Sequence, residues 1–148
     1  MNNKNELIKK KLLKHILING KKPISEKILT KSFKSIQKHQ NKSHSEIFKL
    51  AITNSSPMFR IIKLKNKRKK KKSVKEIPAF LSTYVYRTSW GLKYLVSTAT
   101  SKTDNIFLNR LKHEILSSAK DESSTITLKN ELQNKTLKER KYFKHYRW

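Results

Sequence analysis

Apolar residues recur at helical spacing along most of the chain, and a single interruption of this period constrains the fold more than any other feature. Stripes at spacings of three and four residues define five candidate helices: 5–19, 23–39, 44–54, 88–101 and 104–119. Each stripe is typical of an amphipathic helix with one buried face. A last helix is predicted from Ser124 or Thr125 toward Tyr146. The chain is therefore predicted to be mainly α, with about six helices.

The predicted core consists of the side chains on these stripes. Its candidate members are Leu7, Ile8, Leu12, Ile16, Ile24, Ile28, Leu29, Phe33, Ile36, Ile47, Phe48, Ala51, Trp90, Tyr94, Leu95, Ala99, Leu108, Leu111 and Ile115. Local signals mark several helix ends. Asn5 and Asp104 are candidate N-caps, Ser43 with Glu46 has capping-box spacing, and Gly20 can close the first helix.

Between the third and fourth helices the pattern changes to that of strands. The segments MFRIIKL (58–64) and SVKEIPAFLSTYV (73–85) are β-branched and partly alternating, and Pro78 fits an edge strand. The run KLKNKRKKKK (63–72) joins them, with eight basic residues in ten. We predict a single helical bundle with a protruding basic β-ribbon at about 58–85.

Positive charge is the second constraint, because the 148 residues carry a formal net charge of +26. Residues 1–57 hold 13 basic and 3 acidic side chains, residues 58–88 hold 11 and 1, and residues 89–148 hold 12 and 6. The whole body is basic, so we predict one domain, 1–148, that binds nucleic acid. A lipid surface is the alternative anion.

Signals for catalysis or metal binding are weak. Gly20 and Gly91 are the only glycines, so neither a P-loop nor a dinucleotide-binding fingerprint can be written. The chain has no cysteine, its five histidines are scattered, and its carboxylates are isolated except at Asp121 and Glu122. We expect no enzymatic activity, no cofactor, no metal site, no small-molecule substrate and no membrane span.

The closing segment alternates aromatic and basic residues. On a helical wheel, Leu128, Leu132, Phe143 and Tyr146 share one side, which predicts that Phe143 and Tyr146 are core anchors. The other side holds Arg140, Lys141, Lys144, Arg147 and Trp148. We expect these cations to face phosphates and Trp148 either to stack on a base or to cap the helix end.

Several motifs follow one another in a recognisable order. They are Gly20-Lys21-Lys22, the segment AITNSSP (51–57), Pro78, Arg87 and the ending ERKYFKHYRW (139–148). In this order they resemble the seventh protein of the small ribosomal subunit, in its bacterial and organellar form. The tip KNKRKKKK departs from the family, which has glycines there.

The resemblance implies a helical bundle with a β-ribbon that binds the 3′ major domain of small-subunit rRNA. It also implies a role in assembling the subunit head, a position near the exit-site tRNA and the mRNA path, and neighbouring ribosomal proteins as partners. Carried over by position, the RNA-contact candidates are Lys9, Lys10, Lys14, Lys21, Lys22, Arg60, Lys63, Lys65, Arg87, Arg140, Lys141, Lys144, His145 and Arg147. The basic run adds Lys67, Arg68, Lys69 and Lys70.

Composition gives a hint of origin. Lys outnumbers Arg 30 to 6, and Ile (14) and Asn (11) are abundant, which favours an A/T-rich genome. With the short segment before the first helix, this predicts a mitochondrial ribosome, with a plastid or an A/T-rich bacterium as alternatives. A general DNA- or RNA-compacting protein, a membrane-surface protein and an RNA-processing enzyme stay open as other functional classes.

Overall fold

The computed structural model describes residues 2–39, 43–65, 74–103, 106–140 and 143. Its elements, in chain order, are α1 (Asn2–Ile16), α2 (Lys22–His39), α3 (His44–Ser55), β1 (Phe59–Lys65), β2 (Val74–Phe80), α4 (Tyr84–Ser101), α5 (Phe107–Ala119) and α6 (Ser124–Lys138). The predicted fold class is confirmed within the described part of the chain: six helices form the body, and one hairpin lies between the third and fourth.

Helix α5 lies at the centre of the bundle, where it packs against α2, α3, α4 and α6. Its Leu111 and Ile115 are completely buried. Helix α1 packs mainly on α4. Helices α1 to α5 all contribute side chains to the hydrophobic core. Its buried members are Leu12, Ile16, Leu29, Phe33, Ile36, Ile47, Phe48, Ala51, Ile52, Leu92, Leu95, Ala99, Leu111 and Ile115. Burial of these side chains is the main force holding the bundle together.

Three apolar side chains that were predicted to face inward lie outside instead. Leu7 and Ile24 are each 54% exposed, and Leu128 is 42% exposed. All three lie in the first half of their helix. Periodicity identifies the correct face of a helix but does not tell how far along the helix that face is covered.

The predicted helix ends are partly correct. Gly20 does close the turn after α1, with a φ of 71° that favours glycine, although Asn19 shares the left-handed region and α1 already ends at Ile16. Ser43 is the N-cap of α3, and its side chain accepts a hydrogen bond from the amide of Ser45 at 3.4 Å. The prediction that Asn5 caps α1 is wrong, since Asn5 lies inside that helix.

Helices α5 and α6 also begin and end differently from the prediction. Helix α5 begins at Phe107 with Ile106 at its N-cap position, while the predicted cap Asp104 lies outside the described residues. Helix α6 is capped by Ser123, which accepts from the amide of Ile126, rather than by Ser124 or Thr125. It ends at Lys138 with a C-cap at Glu139, so the predicted continuous helix toward Tyr146 is wrong at this point.

Helix α4 differs most from its prediction. It begins at Tyr84, four residues early, and its buried face includes Gly91 while Trp90 and Tyr94 are only half-buried. A Cβ at Gly91 would lie 3.3 Å from the backbone carbonyl carbon and oxygen of Ser55. The glycine therefore permits a close approach of α4 to the end of α3, which periodicity alone does not reveal.

A buried carboxylate joins the last three helices. Glu114 on α5 is completely buried, and its Oε1 accepts from the hydroxyl of Thr125 at 2.7 Å and from the Thr125 amide at 3.1 Å. Its Oε2 lies 2.5 Å from the Lys102 amine that follows α4. Burial by itself raises the pKa of Glu114, but the hydrogen bonds from Lys102 and Thr125 outweigh it, so the pKa lies below its ordinary value.

Candidate nucleic-acid interface

The two strands form an antiparallel ribbon whose register runs from Phe59 opposite Phe80 to Lys65 opposite Val74. The predicted second strand, 73–85, is therefore too long at its C-terminal end, because β1 begins at Phe59 and offers no partner beyond Phe80. Residues 66–73, which contain the predicted basic tip, lie outside the described residues.

One face of the ribbon is docked on α6. Successive side chains of a strand alternate between faces, so Phe59, Ile61 and Lys63 share one face with their partners across the ladder. A shallow cleft on this face is lined by Ile61, Glu76, Pro78, Lys135, Thr136 and Glu139. The base of the predicted protruding ribbon is thus supported by the C-terminal half of α6.

A carboxylate fastens this contact. Glu76 of β2 forms ion pairs with Lys135 of α6 and with Lys63 of β1, the latter at 3.4 Å. The hydrogen bond from Lys135 is the main cause of a lowered pKa at Glu76, and Lys63 adds to it. Lys63, a predicted RNA contact, is 70% exposed but shares its charge with an internal partner.

Aromatic rings connect the ribbon base to the end of the chain and to α4. Phe143 stacks on Phe59 with ring centres 5.7 Å apart and planes 7° from parallel, and Phe59 meets Phe80 edge-on at 5.7 Å. The guanidinium of Arg87 lies over the Phe80 ring at 5.1 Å, and its Nε donates to the Leu81 carbonyl at 2.6 Å. The half-buried Phe143 agrees with the predicted anchor, and Arg87 is positioned by this cluster.

The predicted α1 contacts separate into two kinds. Lys10 and Lys14 are exposed, whereas Lys9 is half-buried, with its amine 3.3 Å from Nε2 of His44 and 5.3 Å from the Phe33 ring centre. Burial, and then the Lys9 charge, lower the pKa of His44. Lys9 therefore helps to pack α1 against α2 and α3, a role that its charge alone does not reveal.

The remaining described candidates lie on the surface. Lys21 and Lys22 are exposed at the turn before α2, and the Lys22 amine lies 3.8 Å from Glu26. Arg60 is exposed on the ribbon face opposite the one docked on α6, and Arg140 is exposed just after α6. Lys65 lies in β1, but its side chain is not described.

Nine predicted contact residues fall outside the described part of the chain. They are Lys67, Arg68, Lys69, Lys70, Lys141, Lys144, His145, Arg147 and Trp148. The predicted anchor Tyr146 lies there as well. The stacking of Phe143 on Phe59 nevertheless places Phe143 beside the ribbon base. Lys10 and Lys14 lie on α1, Lys21 lies in the turn before α2, and Lys22 is the first residue of α2.

Sequence reasoning missed Lys135, which ties α6 to the ribbon through Glu76. Its position on the last predicted helix is readable from the sequence, but its partner on the ribbon is not. Among the described side chains, no group of three or more histidines and carboxylates is arranged to hold a metal ion. None of the described helices is long and apolar enough to cross a membrane.

A helical body with few carboxylates and a basic ribbon is typical of proteins that bind polyanions. The profile of the family described as ribosomal protein S7p/S5e matches residues 1–140, and the chain belongs to this family. Membership supports a structural rather than an enzymatic role, and it confirms the resemblance read from the ordered motifs.

Two relatives illustrate the match. The small ribosomal subunit protein uS7 of Wigglesworthia glossinidia brevipalpis is 30% identical over 144 residues, covering 97% of this chain and 88% of the relative. The small ribosomal subunit protein uS7c of Euglena longa is 27% identical over 129 residues, covering 87% of this chain and 70% of the relative. One relative is thus bacterial and the other carries a plastid-type name.

Proposed function

We propose that this chain is a structural constituent of the small ribosomal subunit and binds small-subunit rRNA. The observation that carries the proposal is the family match over residues 1–140. The net charge of +26 supports it, because so basic a body is favoured beside a dense polyanion. A compacting protein for DNA would share the charge but would not need the family's ordered motifs.

The proposed contact region has two parts. The first part consists of the ribbon, whose Arg60 side chain is exposed, and of Arg140, with Phe143 stacked on Phe59 at the ribbon base. The exposed lysines of α1 and of the turn before α2 form the second. Direct contacts of Lys and Arg with phosphates position such a protein on folded RNA.

The finer assignment follows the family resemblance. We propose the 3′ major domain of small-subunit rRNA as the binding site, a role in assembling the subunit head, and neighbours that include other small-subunit proteins, the exit-site tRNA and the mRNA path. A mitochondrial ribosome is the proposed location, supported by the Lys-rich, Arg-poor composition. Fractionation of organelles with detection of the protein in mitochondrial small subunits tests that location.

Co-sedimentation with small subunits and crosslinking to rRNA in cells test the main proposal. We expect the protein in the small-subunit peak and crosslinks concentrated in the 3′ domain. Replacing Arg60 and Arg140 by Gln should weaken binding to a 3′-domain transcript and lower the salt slope by about one unit for each phosphate that is no longer bound. A matched control replaces the exposed Lys49 and Lys120 by Gln. Recovery of the protein on DNA alone, without rRNA crosslinks, would overturn the proposal.

A further inference from the structure

The outer face of α2 carries a row of lysines that none of the proposed contacts uses. We call it the α2 lysine stripe, and it consists of Lys27, Lys31, Lys34 and Lys38. Spacings of four, three and four residues place these side chains on one face of the helix. All four are exposed, while the opposite face of α2 is buried in the core.

The described part of the chain provides no counter-charge for the stripe. The only carboxylate on α2 is Glu26, which pairs with Lys22 at the start of the helix. Among the side chains that the structure describes, no carboxylate forms an ion pair with a stripe lysine. Like charges at these spacings destabilise a helix slightly, and an anion bound along the row would offset this cost.

The stripe also lies on a different part of the bundle from the ribbon. Helix α2 packs mainly on α5, with smaller contacts to α1 and α3. The ribbon instead packs on α6 and on the aromatic cluster at Phe143. An RNA strand that follows the ribbon and the C-terminal segment would therefore not account for the stripe.

The chemistry of the face favours phosphates over a protein partner. From residue 27 to residue 38 every exposed position is Lys, Thr or Gln, so this stretch has no exposed apolar side chain. Protein interfaces have an apolar centre and are depleted in Lys, whereas RNA backbones are bound by exposed cations. The stripe spans about 16 Å along the helix axis at about 1.5 Å per residue, which is long enough to contact several successive phosphates.

We propose that the α2 lysine stripe binds the phosphate backbone of a second RNA segment, separate from the one bound by the ribbon. The protein would then join two segments of folded RNA across its helical body. This inference rests on the proposed rRNA-binding function and names an additional surface for it.

The test compares three proteins on a transcript of the 3′ major domain of small-subunit rRNA. The stripe variant carries Lys31→Gln, Lys34→Gln and Lys38→Gln, and the control carries Lys49→Gln, Lys93→Gln and Lys120→Gln, which removes the same charge from other exposed positions. In a plot of log affinity against log salt concentration, we expect the slope to become shallower by about 2–3 units for the stripe variant alone. Its disadvantage in affinity relative to the wild type should then shrink about 15- to 60-fold between roughly 50 and 200 mM salt.

Hydroxyl-radical footprinting of the same complexes shows which nucleotides the protein protects. A change in net charge alone does not remove protection from one particular set of nucleotides. The stripe variant should lose one discrete set of protected nucleotides and keep those that are lost when Arg60 is replaced by Gln. Equal losses of affinity in the stripe and control variants, with identical footprints, overturn the inference. So does a stripe variant that binds rRNA normally but fails to enter small subunits, because that result assigns the stripe to an acidic protein neighbour. Failure of the wild type to bind the transcript instead overturns the proposed function.

Discussion

Replacing Glu114 by Ala should be among the most destabilising single changes available to this protein. The carboxylate is completely buried and accepts two hydrogen bonds from Thr125 while pairing with Lys102. Its removal leaves the buried Thr125 amide without an acceptor and opens a cavity. An unsatisfied buried donor costs about 1–3 kcal/mol, and the lost packing adds about 1–2 kcal/mol.

The ion pair with Lys102 contributes less than its short distance suggests. The Lys102 side chain is 25% exposed, so its amine can turn to water after the carboxylate is removed. We therefore expect a total loss of about 3–4 kcal/mol for Glu114→Ala. At about 2–4 °C per kcal/mol for a chain of this size, the melting temperature should fall by roughly 6–16 °C.

The Gln variant separates hydrogen bonding from charge. Glu114→Gln keeps an oxygen that can accept from Thr125 and loses only the charge facing Lys102, so we expect a loss of about 1 kcal/mol. Urea unfolding followed by circular dichroism, at constant ionic strength, measures all variants. Glu122→Gln, in the exposed loop before α6, is the matched control and should leave the midpoint unchanged.

Acid dependence gives a second readout from the same proteins. The folded-state pKa of Glu114 lies below the ordinary value of 4.5. Its stabilisation is therefore fully present above pH 4.5 and is lost as the pH falls from there through the lower folded-state pKa. The difference in stability between the wild type and Glu114→Gln should narrow over that range. The reasoning is refuted if Gln costs as much as Ala, or if the difference does not change with pH.

Three further perturbations probe the packing of α4 and the support of the ribbon. Gly91→Ala gains about 1 kcal/mol of helix propensity but forces a Cβ to within 3.3 Å of the α3 backbone, which costs about 1–3 kcal/mol; calorimetry should show a net destabilisation. Phe143→Ala should cost about 1–2 kcal/mol through the lost stack on Phe59, with an unchanged salt slope in RNA binding; a lower slope would contradict its role as an anchor. Glu76→Gln should speed hydrogen exchange in β1 and β2 while the melting temperature stays constant, because it weakens only the ion pairs with Lys135 and Lys63; unchanged exchange would show that the apolar contacts suffice.

Helical periodicity and turn chemistry carry enough information to predict the order of the elements. Leu12, Ile16 and Ile115 were placed correctly because the 3.6-residue period decides which side chains share a face. Ser43 and Gly20 were readable because capping and positive φ have strong residue preferences.

The start of α4 was not readable from local preference. Tyr84, Val85 and Tyr86 are all typical of strands, and they extend the predicted second strand. A strand also needs a partner, and β1 provides none beyond Phe80. These residues therefore form the start of a helix despite their local preference for strands. The cause is the pairing register of β1 and β2, which is defined only in the folded hairpin.

The positive charge of the candidate interface was predictable from the sequence, but the internal contacts of its individual cations were not. An excess of basic side chains in the sequence indicates a polyanion-binding surface. The sequence does not reveal which of these cations are already paired within the protein. Lys9 lies against His44 and Phe33, and Lys63 shares Glu76 with α6. Such pairings join residues that are distant in the sequence, so they depend on the helix arrangement rather than on local spacing.

The stack between Phe59 and Phe143 also has a consequence for the timing of folding. The two rings are separated by 84 positions in the chain, so this contact is strongly non-local. During synthesis, α1 to α5 can collapse around their shared core before the last segment emerges. The ribbon base receives its final support only after residue 143 has left the ribosome that makes it. Maturation of the proposed RNA-binding region is thereby coupled to completion of the polypeptide.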